Sequence, residues 1–401
     1  MENSMWASSL HMNEDHLYNE SRRLIQKITG STETLFRVLR SVATPEAIND
    51  EINRSIRALA GAPQELMRED PKKINMMTVF FPSNNILYSY VLYCLIPGLY
   101  CDTILLRPSS RAKQATMDVH GLLGASSGSH VWLRDVTQKD FIEESGDADL
   151  VVFTGTSRNA TAVQKKLPPG PTLISFASAS TPVVVAPGAD VYKTARNVIA
   201  ARLFNEGRDC LCPDAILVHD NLFREFIKSL KAQISEYIHA RNRNSNDLPR
   251  GHNVDPSIIE TLQGRNKSIV HGGILDNSGG KIAPTIIEGD LTRDFVQTEW
   301  YGPVFDVVRY ERDHDLESWF LENEQLSTGS YVSVFGKFGA GREMIGTHLV
   351  LRNLMPLDAE HPNLPFGGYG QLSGSVRNHG HVVSRPLLIS AEVCRRQARA
   401  S

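Results

Sequence analysis

The chain has 401 residues, 41% of them hydrophobic, with 42 Lys and Arg against 45 Asp and Glu for a formal net charge of -3. That length exceeds what one hydrophobic core usually holds, so two domains are expected. The near-neutral balance, with no basic stripe, argues against a nucleic-acid partner. The five cysteines (Cys94, Cys101, Cys210, Cys212 and Cys394) are too few and too scattered for a disulfide framework. Cys210 and Cys212 have one residue between them and no second pair or histidine cluster nearby, so no metal site is expected. The first twenty residues carry early acids and no apolar leader core. The longest apolar stretch, 86–106, is broken by Ser89, Pro97, Gly98 and Asp102 and is too interrupted to span a bilayer. A reducing cytoplasm and no membrane partner are the expectations.

In chain order, residues 18–59 read as helical, with Leu24, Ile25, Ile28, Leu35, Val38 and Leu39 at helical spacing. Thr44 before Pro45 reads as a cap with proline at the first helical position. From Met76 the texture changes. Short apolar runs at 78–81, 103–106, 130–133, 149–153 and 172–176 read as strands, with helices at 86–95 and 112–123. That alternation implies βαβ units and a doubly wound parallel sheet. A second series follows: helix 192–204, strand 215–218, amphipathic helix 221–238, a polar loop over 241–256, and strands at 304–310 and 330–335. The last forty residues are glycine-rich, then apolar at 386–389. The two halves are expected to divide near Ser178.

Several turns at strand ends could carry chemistry. Phe204-Asn205-Glu206-Gly207-Arg208-Asp209-Cys210 puts a thiol at the end of a helix, where the glycine lets the backbone turn and Arg208 could favour the thiolate. Spacing alone does not separate Cys210 from Cys212. Asn84, in Phe81-Pro82-Ser83-Asn84-Asn85-Ile86, either caps a helix or offers its amide to an oxyanion. Leu106-Arg107-Pro108-Ser109-Ser110-Arg111 could hold a phosphate or be a solvated loop. Phe153-Thr154-Gly155-Thr156-Ser157-Arg158 could cradle a pyrophosphate on backbone amides, although it is not the GxGxxG fingerprint. Glu299, in Thr298-Glu299-Trp300-Tyr301-Gly302-Pro303-Val304, could hold a ribose diol beside Tyr301, or the segment could be turn and core. The run 331–346 combines strand, glycines and helix. It lacks a third glycine and a ribose-binding acid at the expected distance, so it is rejected as a dinucleotide site.

Taken together and in order, these segments resemble the aldehyde dehydrogenase superfamily over about residues 76–392. FPSNNIL looks like the family's PWNFPL, LLRPSS like VxKPAE, VVFTGTS like the FTGS turn, and FNEGRDC like FxNxGQxC. TEWYGPV looks like EEIFGPV, preceded by a matching IAPTII, and PFGGYGQLSGSVRN is close to PFGGYKxSGxGRE. The resemblance implies a two-domain α/β fold. Residues 1–177 would form a Rossmann-like nicotinamide domain with N-terminal helices and 178–365 the catalytic domain. Residues 366–401 would return to the cofactor domain and could supply an oligomerisation strand. It implies catalytic roles for Cys210 and Asn84. It places Ser83, Arg107, Ser110, Arg111, Gly155, Thr156, Glu299 and Tyr301 around the cofactor. Family members assemble as dimers or tetramers. The short segment before Asn84 leaves little for the usual arm, so a homodimer is favoured.

Three departures shape the functional expectation. Phe176 stands where the family has its general-base glutamate, 34 residues before Cys210, as in the family. General-base help is typically worth about 10²–10⁴-fold, and phenylalanine cannot give it. The CoA-acylating and acyl-thioester-reducing branches also tend to lack that glutamate. Ser110 replaces the acid that NAD-preferring members place on the adenine ribose, and Arg107 or Arg111 could pair with a 2′-phosphate. NADP(H) is therefore expected, with NAD possible. Arg208 replaces a glutamine and could favour the thiolate or meet an anionic substrate. The leading expectation is interconversion of an aldehyde and an acyl thioester, on coenzyme A or a carrier protein, in the reductive direction. The alternatives are a conventional aldehyde dehydrogenase releasing a free acid and a non-redox thioester-binding scaffold.

Overall fold

The computed structural model describes residues 13–128, 130–244, 252–276, 280–293 and 295–400. The helical stretch near the N-terminus is three helices: α1 (Glu14–Gly30), α2 (Thr32–Leu39) and α3 (Pro45–Glu69). The expected continuous run is broken because Ser31 caps both α1 and α2 with its own backbone, and Thr44 starts α3 with its hydroxyl accepting from the Ala47 amide. Pro45 sits at the first helical position, where its missing N–H costs nothing.

The first sheet begins with β1 (Ile74–Phe80), β2 (Cys101–Arg107), β3 (His130–Leu133), β4 (Leu150–Thr154) and β5 (Thr172–Phe176). Helices α4 (Ile86–Tyr90, continuing as a π turn through Leu95), α5 (Lys113–Leu123), α6 (Gln138–Glu144) and α7 (Ser157–Lys166) fill the crossovers. Successive residues on a strand face opposite sides. Val152 joins the core under α1–α3, whereas Val151 and Phe153 join the core under α6 and α7. Burial on both faces explains why these strands read as near-continuous apolar runs.

The second sheet starts at β6 (Val183–Val185) and continues through helix α8 (Val191–Leu203), β7 (Ile216–His219) and helix α9 (Asp220–Asn244). β8 (His252–Asn253), β10 (Ile274–Asp276) and β11 (Lys281–Ile282) make a small three-stranded sheet, and β9 (Ile269–His271) edges the large one. β12 (Thr285–Asp290), β13 (Val304–Tyr310), β14 (Tyr331–Phe335), β15 (Met344–Ile345) and β16 (His348–Arg352) complete it in the order β15-β16-β14-β6-β7-β13-β12-β9. β17 (Ser375–Asn378) and β18 (His381–Ser384) return to the first sheet, antiparallel against β5. No helix follows the glycines after β14. The chain turns at Gly339 and Gly341, both with positive φ, and enters β15. Of the polar loop expected over 241–256, residues 245–251 lie outside the described residues, α9 occupies the first four positions and β8 takes 252–253.

The first sheet has the order β18-β17-β5-β4-β1-β2-β3. Its parallel part, 5-4-1-2-3, reverses direction between β1 and β4. In open α/β sheets the crevice beyond the carboxyl ends of the strands at such a reversal is where ligands bind. Here that crevice lies past Phe80 on one side and Thr154 on the other. Among the described residues no helix is long and apolar enough to cross a membrane.

Candidate active site

A cavity of about 990 Å³ opens at this crevice. All ten residues singled out in the sequence line it: Ser83 and Asn84 beyond β1, Arg107 at the end of β2 with Ser110 and Arg111 beyond it, Gly155 and Thr156 beyond β4, then Cys210, Glu299 and Tyr301. Their convergence follows from topology, since three of these turns sit at the same end of neighbouring parallel strands.

The cysteine loop is built under constraint. After α8 the chain passes through three consecutive left-handed residues, Asn205 (φ 46°), Glu206 (φ 61°) and Gly207 (φ 77°). Asn205 is held there by the Thr44 amide, which donates to its Oδ1 at 3.1 Å. Gly207 cannot be replaced, because a Cβ there would lie 2.2 Å from the Gly302 carbonyl oxygen. Arg202, fully buried, fastens the result. Its guanidinium donates to the carbonyls of Gly207 (3.2 Å), Pro213 (3.0 Å), Gly302 (2.7 Å) and Trp300. One side chain thus ties the loop carrying Cys210 to the loop carrying Glu299 and Tyr301.

The two cysteines separate clearly. Cys210 is exposed to the cavity, whereas Cys212 is buried and donates its thiol proton to the Ala201 carbonyl at 3.1 Å. Although open to the cavity, the Cys210 sulfur has protein on most sides. That enclosure, followed by the negative charge of Asp209, pushes its pKa well above that of an ordinary thiol, and Arg54 opposes the shift. Arg208 is not the expected cation beside the thiol. Its guanidinium pairs with Glu206 at 2.9 Å and bonds the Asn205 carbonyl. The left-handed turn brings those two groups back under it and turns it towards its own loop.

Asn84 does not cap a helix. Asn85, with φ 50°, occupies the N-cap position of α4. Asn84 donates its amide to the Arg208 carbonyl at 3.2 Å, and Asn85 donates to Asp209 at 2.9 Å. The β1 turn is therefore docked on the cysteine loop by two adjacent asparagines. Phe176 lies at the end of β5, its ring edge-on to Phe366 with centroids 6.2 Å apart. Glu299 is enclosed enough that burial raises its carboxyl pKa, while hydrogen bonds from Ser178 and Tyr301 lower it.

Also at the cavity, α7 begins at Ser157 with Thr156 as its cap, the Thr156 hydroxyl accepting from the Asn159 amide. Thr156 and Asn159 bring the positive dipole end of this helix to the cavity, which suits an anion. Arg107 donates its Nε to the Val136 carbonyl at 3.0 Å. Arg111 is paired with Asp255 at 2.8 Å. Among the described residues no cluster of His, Cys, Asp or Glu could hold a metal ion.

The sequence reading missed Arg54, Tyr88, Asp209 and Glu360, which also line the cavity, and Arg202. A signal existed for the first. Glu51, Arg54, Ser55 and Glu65 are buried on α3 among Ile48, Ile52, Ala58, Leu59 and Ala62, and polar residues set into an apolar stripe are unusual enough to question.

The sequence model of the aldehyde dehydrogenase family matches residues 133–384. Aldehyde dehydrogenase family 3 comG of Dictyostelium discoideum is 30% identical over 206 residues, covering 50% of this chain and 43% of that protein. The dimeric NADP-preferring aldehyde dehydrogenase of Rattus norvegicus is 24% identical over 214 residues, covering 50% and 44%. The chain thus spans about half the length of the curated relatives it matches. Among solved structures, the substrate-bound state of Staphylococcus aureus AldH superposes with a TM-score of 0.76 at 17% identity, covering 96% of this chain and 89% of that one. Staphylococcus aureus betaine aldehyde dehydrogenase in complex with NAD+ gives 0.75 at 18% identity, covering 94% and 83%. At these identities the superpositions establish the fold alone.

Proposed function

This chain belongs to the aldehyde dehydrogenase family, and from that premise we propose that it interconverts an aldehyde and an acyl thioester through Cys210, in the reductive direction. Phe176 carries the reading. The family's water-activating carboxylate is replaced by a ring set against Phe366, so the end of β5 offers no base to hydrolyse an acyl group on Cys210. The Cys210 sulfur attacks the carbonyl carbon, and the thiol of coenzyme A or a carrier protein leaves. Asn84 and the Cys210 amide are the donors proposed for the oxyanion. Because the thiol pKa is raised, its proton must depart as the sulfur attacks, and the departing thiolate is the natural acceptor.

The cofactor wall fits a nicotinamide dinucleotide. The α7 N-terminus with Gly155 and Thr156 suits a pyrophosphate, and Glu299 with Tyr301 suits a ribose. Ser83, beyond β1, lines the same cavity. Arg107 and Ser110, with no acid beside them on that turn, favour a 2′-phosphate and hence NADP(H) over NAD. Arg111 must leave Asp255 to contribute. When bound, the nicotinamide supplies hydride to the acyl group or accepts it in reverse. The chain is proposed to act as a homodimer.

A second reading has an observation in its favour. The raised pKa of Glu299 brings it nearer to what a general base needs at neutral pH, so it could serve a conventional dehydrogenase releasing free acid. Product analysis separates the two. With an acyl-CoA, NADPH oxidation should yield aldehyde, and Cys210→Ala should lower that turnover by at least about 10³-fold. Free acid formed from an aldehyde as fast as the thioester is reduced would overturn the first reading.

A further inference from the structure

The wall around the nucleophile holds more buried polarity than the chemistry above uses. Arg54 and Glu360 line the cavity with Cys210, yet their side chains are only 5% and 6% exposed. Arg54 Nη1 stands 3.7 Å from Glu360 Oε2, too far for a hydrogen bond. The guanidinium lies 4.9 Å over the Tyr88 ring, and the Tyr88 hydroxyl donates to the other oxygen of Glu360. Arg54 Nη2 and Glu360 Oε2 have no hydrogen-bond partner among the described residues. A buried donor and a buried acceptor left unpaired at one site cost about 1–3 kcal/mol each, and such pairs persist where something else completes them.

The charges say what completes them. Arg54 also faces Asp50, at 2.7 Å, and its pKa is raised chiefly by Asp209, then Asp50 and Glu360, against the effect of burial. Three carboxylates around one guanidinium leave surplus negative charge, which repels a carboxylate ligand. An ammonium group would satisfy Glu360 but leave Arg54 with a second cation and still no acceptor. A neutral hydroxyl or amide both donates and accepts, so it can serve Glu360 and Arg54 together. An alkyl chain serves neither.

We propose that the substrate carries a hydroxyl group on the part that reaches from its reacting carbonyl to this site, held between Arg54 and Glu360. The two unpartnered atoms are buried beneath the wall, so engaging them takes a side-chain rotation. This rests on the assignment of Cys210 as the group that attacks the carbonyl.

The test compares kcat/KM for butanal, the three hydroxybutanals, succinic semialdehyde and 3-aminopropanal, and for the corresponding coenzyme A thioesters. At least one hydroxy compound should exceed butanal by about tenfold or more, because a site built to hydrogen-bond a hydroxyl rejects the analogue lacking it. Succinic semialdehyde should be the poorest. Glu360→Leu and Arg54→Met should bring the hydroxy-to-alkyl ratio towards one, and if neither folds, the wild-type ratio decides alone. Butanal equalling every hydroxy compound, or a carboxylate or ammonium compound ranking first, overturns the proposal. If nothing is turned over, the same compounds are ranked by protection of Cys210 from iodoacetamide, and the hydroxy compounds must protect best. Turnover that survives Cys210→Ala refutes the nucleophile assignment while the ranking still decides the ligand.

Discussion

The cavity has two walls of unlike origin. The cofactor wall is assembled mainly from the ends of β1, β2 and β4 and the start of α7, turns a few residues long placed by one parallel sheet, with Glu299 and Tyr301 added from the loop before β13. The nucleophile wall draws Arg54 from α3, Tyr88 from α4, Asp209 from the cysteine loop and Glu360 from the segment after β16. Their hydrogen bonds and ion pairs join residues 272 positions apart in one case and 124 in another. The first wall is a repeated local device open to many ligands. The second is a single long-range assembly, and it is where this chain's own chemistry is expressed.

The largest effect that would sharpen this contrast is a change of product. Phe176→Glu puts a carboxylate at the end of β5, beside the Gly155 turn, whose amide donates to the residue 176 carbonyl. Release of free acid from an aldehyde should rise by about 10²–10⁴-fold, the usual worth of a general base, while NADP(H) affinity stays unchanged. Acid release measured against cofactor binding checks both halves. No rise in acid would mean that the ring is not what withholds water.

Arg202 tests whether the walls are mechanically separate. Arg202→Met leaves the carbonyls of Gly207, Pro213, Trp300 and Gly302 without their buried donor. An unpaired buried acceptor costs about 1–3 kcal/mol. Some of these carbonyls will relax towards solvent, so a net loss of about 3 kcal/mol is expected, seen as a Tm lower by roughly 4 °C. Because the same guanidinium ties the Cys210 loop to the Glu299 loop, turnover and cofactor affinity should fall together. A variant that loses one and keeps the other would show that the two loops hold their places independently.

The same contrast explains what could be read from the sequence. Strand-turn-helix punctuation at Asn84, Arg107 and Gly155 is local, so the α/β alternation and the turns that line the cavity were visible from residue type and spacing. The cysteine needed more: spacing alone left Cys210 and Cys212 equal, and only the order of six segments separated them. Arg208 shows the limit. A cation two residues from a thiol looks like its activator, but three left-handed residues fold it onto Glu206. Asparagine at 205 and glycine at 207 are residues that tolerate the left-handed region, but Glu206 between them gives no such sign, so the three-residue turn is not legible from the motif. Arg54 influences the thiol instead, and it lies 156 positions away in sequence.

The smallest effect isolates that electrostatic environment. Asp209 is the largest charged contributor to the raised thiol pKa, with Arg54 opposing it. A group held in its protonated form by a neighbouring anion ionises more readily once the anion is neutralised. Asp209→Asn should therefore speed iodoacetamide alkylation of Cys210 at neutral pH, by about tenfold for each unit the thiol pKa falls. Arg54→Met should slow it. In the wild-type protein the rate should still be climbing with pH above 9, because only the thiolate reacts. Asparagine keeps an oxygen to accept from Leu211 or Asn85, so the loop retains much of its support while the charge is lost. Opposite rate changes in the two variants, with Arg107→Met on the cofactor wall leaving the rate unchanged, would locate control of the thiol on the nucleophile wall. Equal slowing in both would mean instead that they act by disturbing the loop, and that charge is not what sets the reactivity of Cys210.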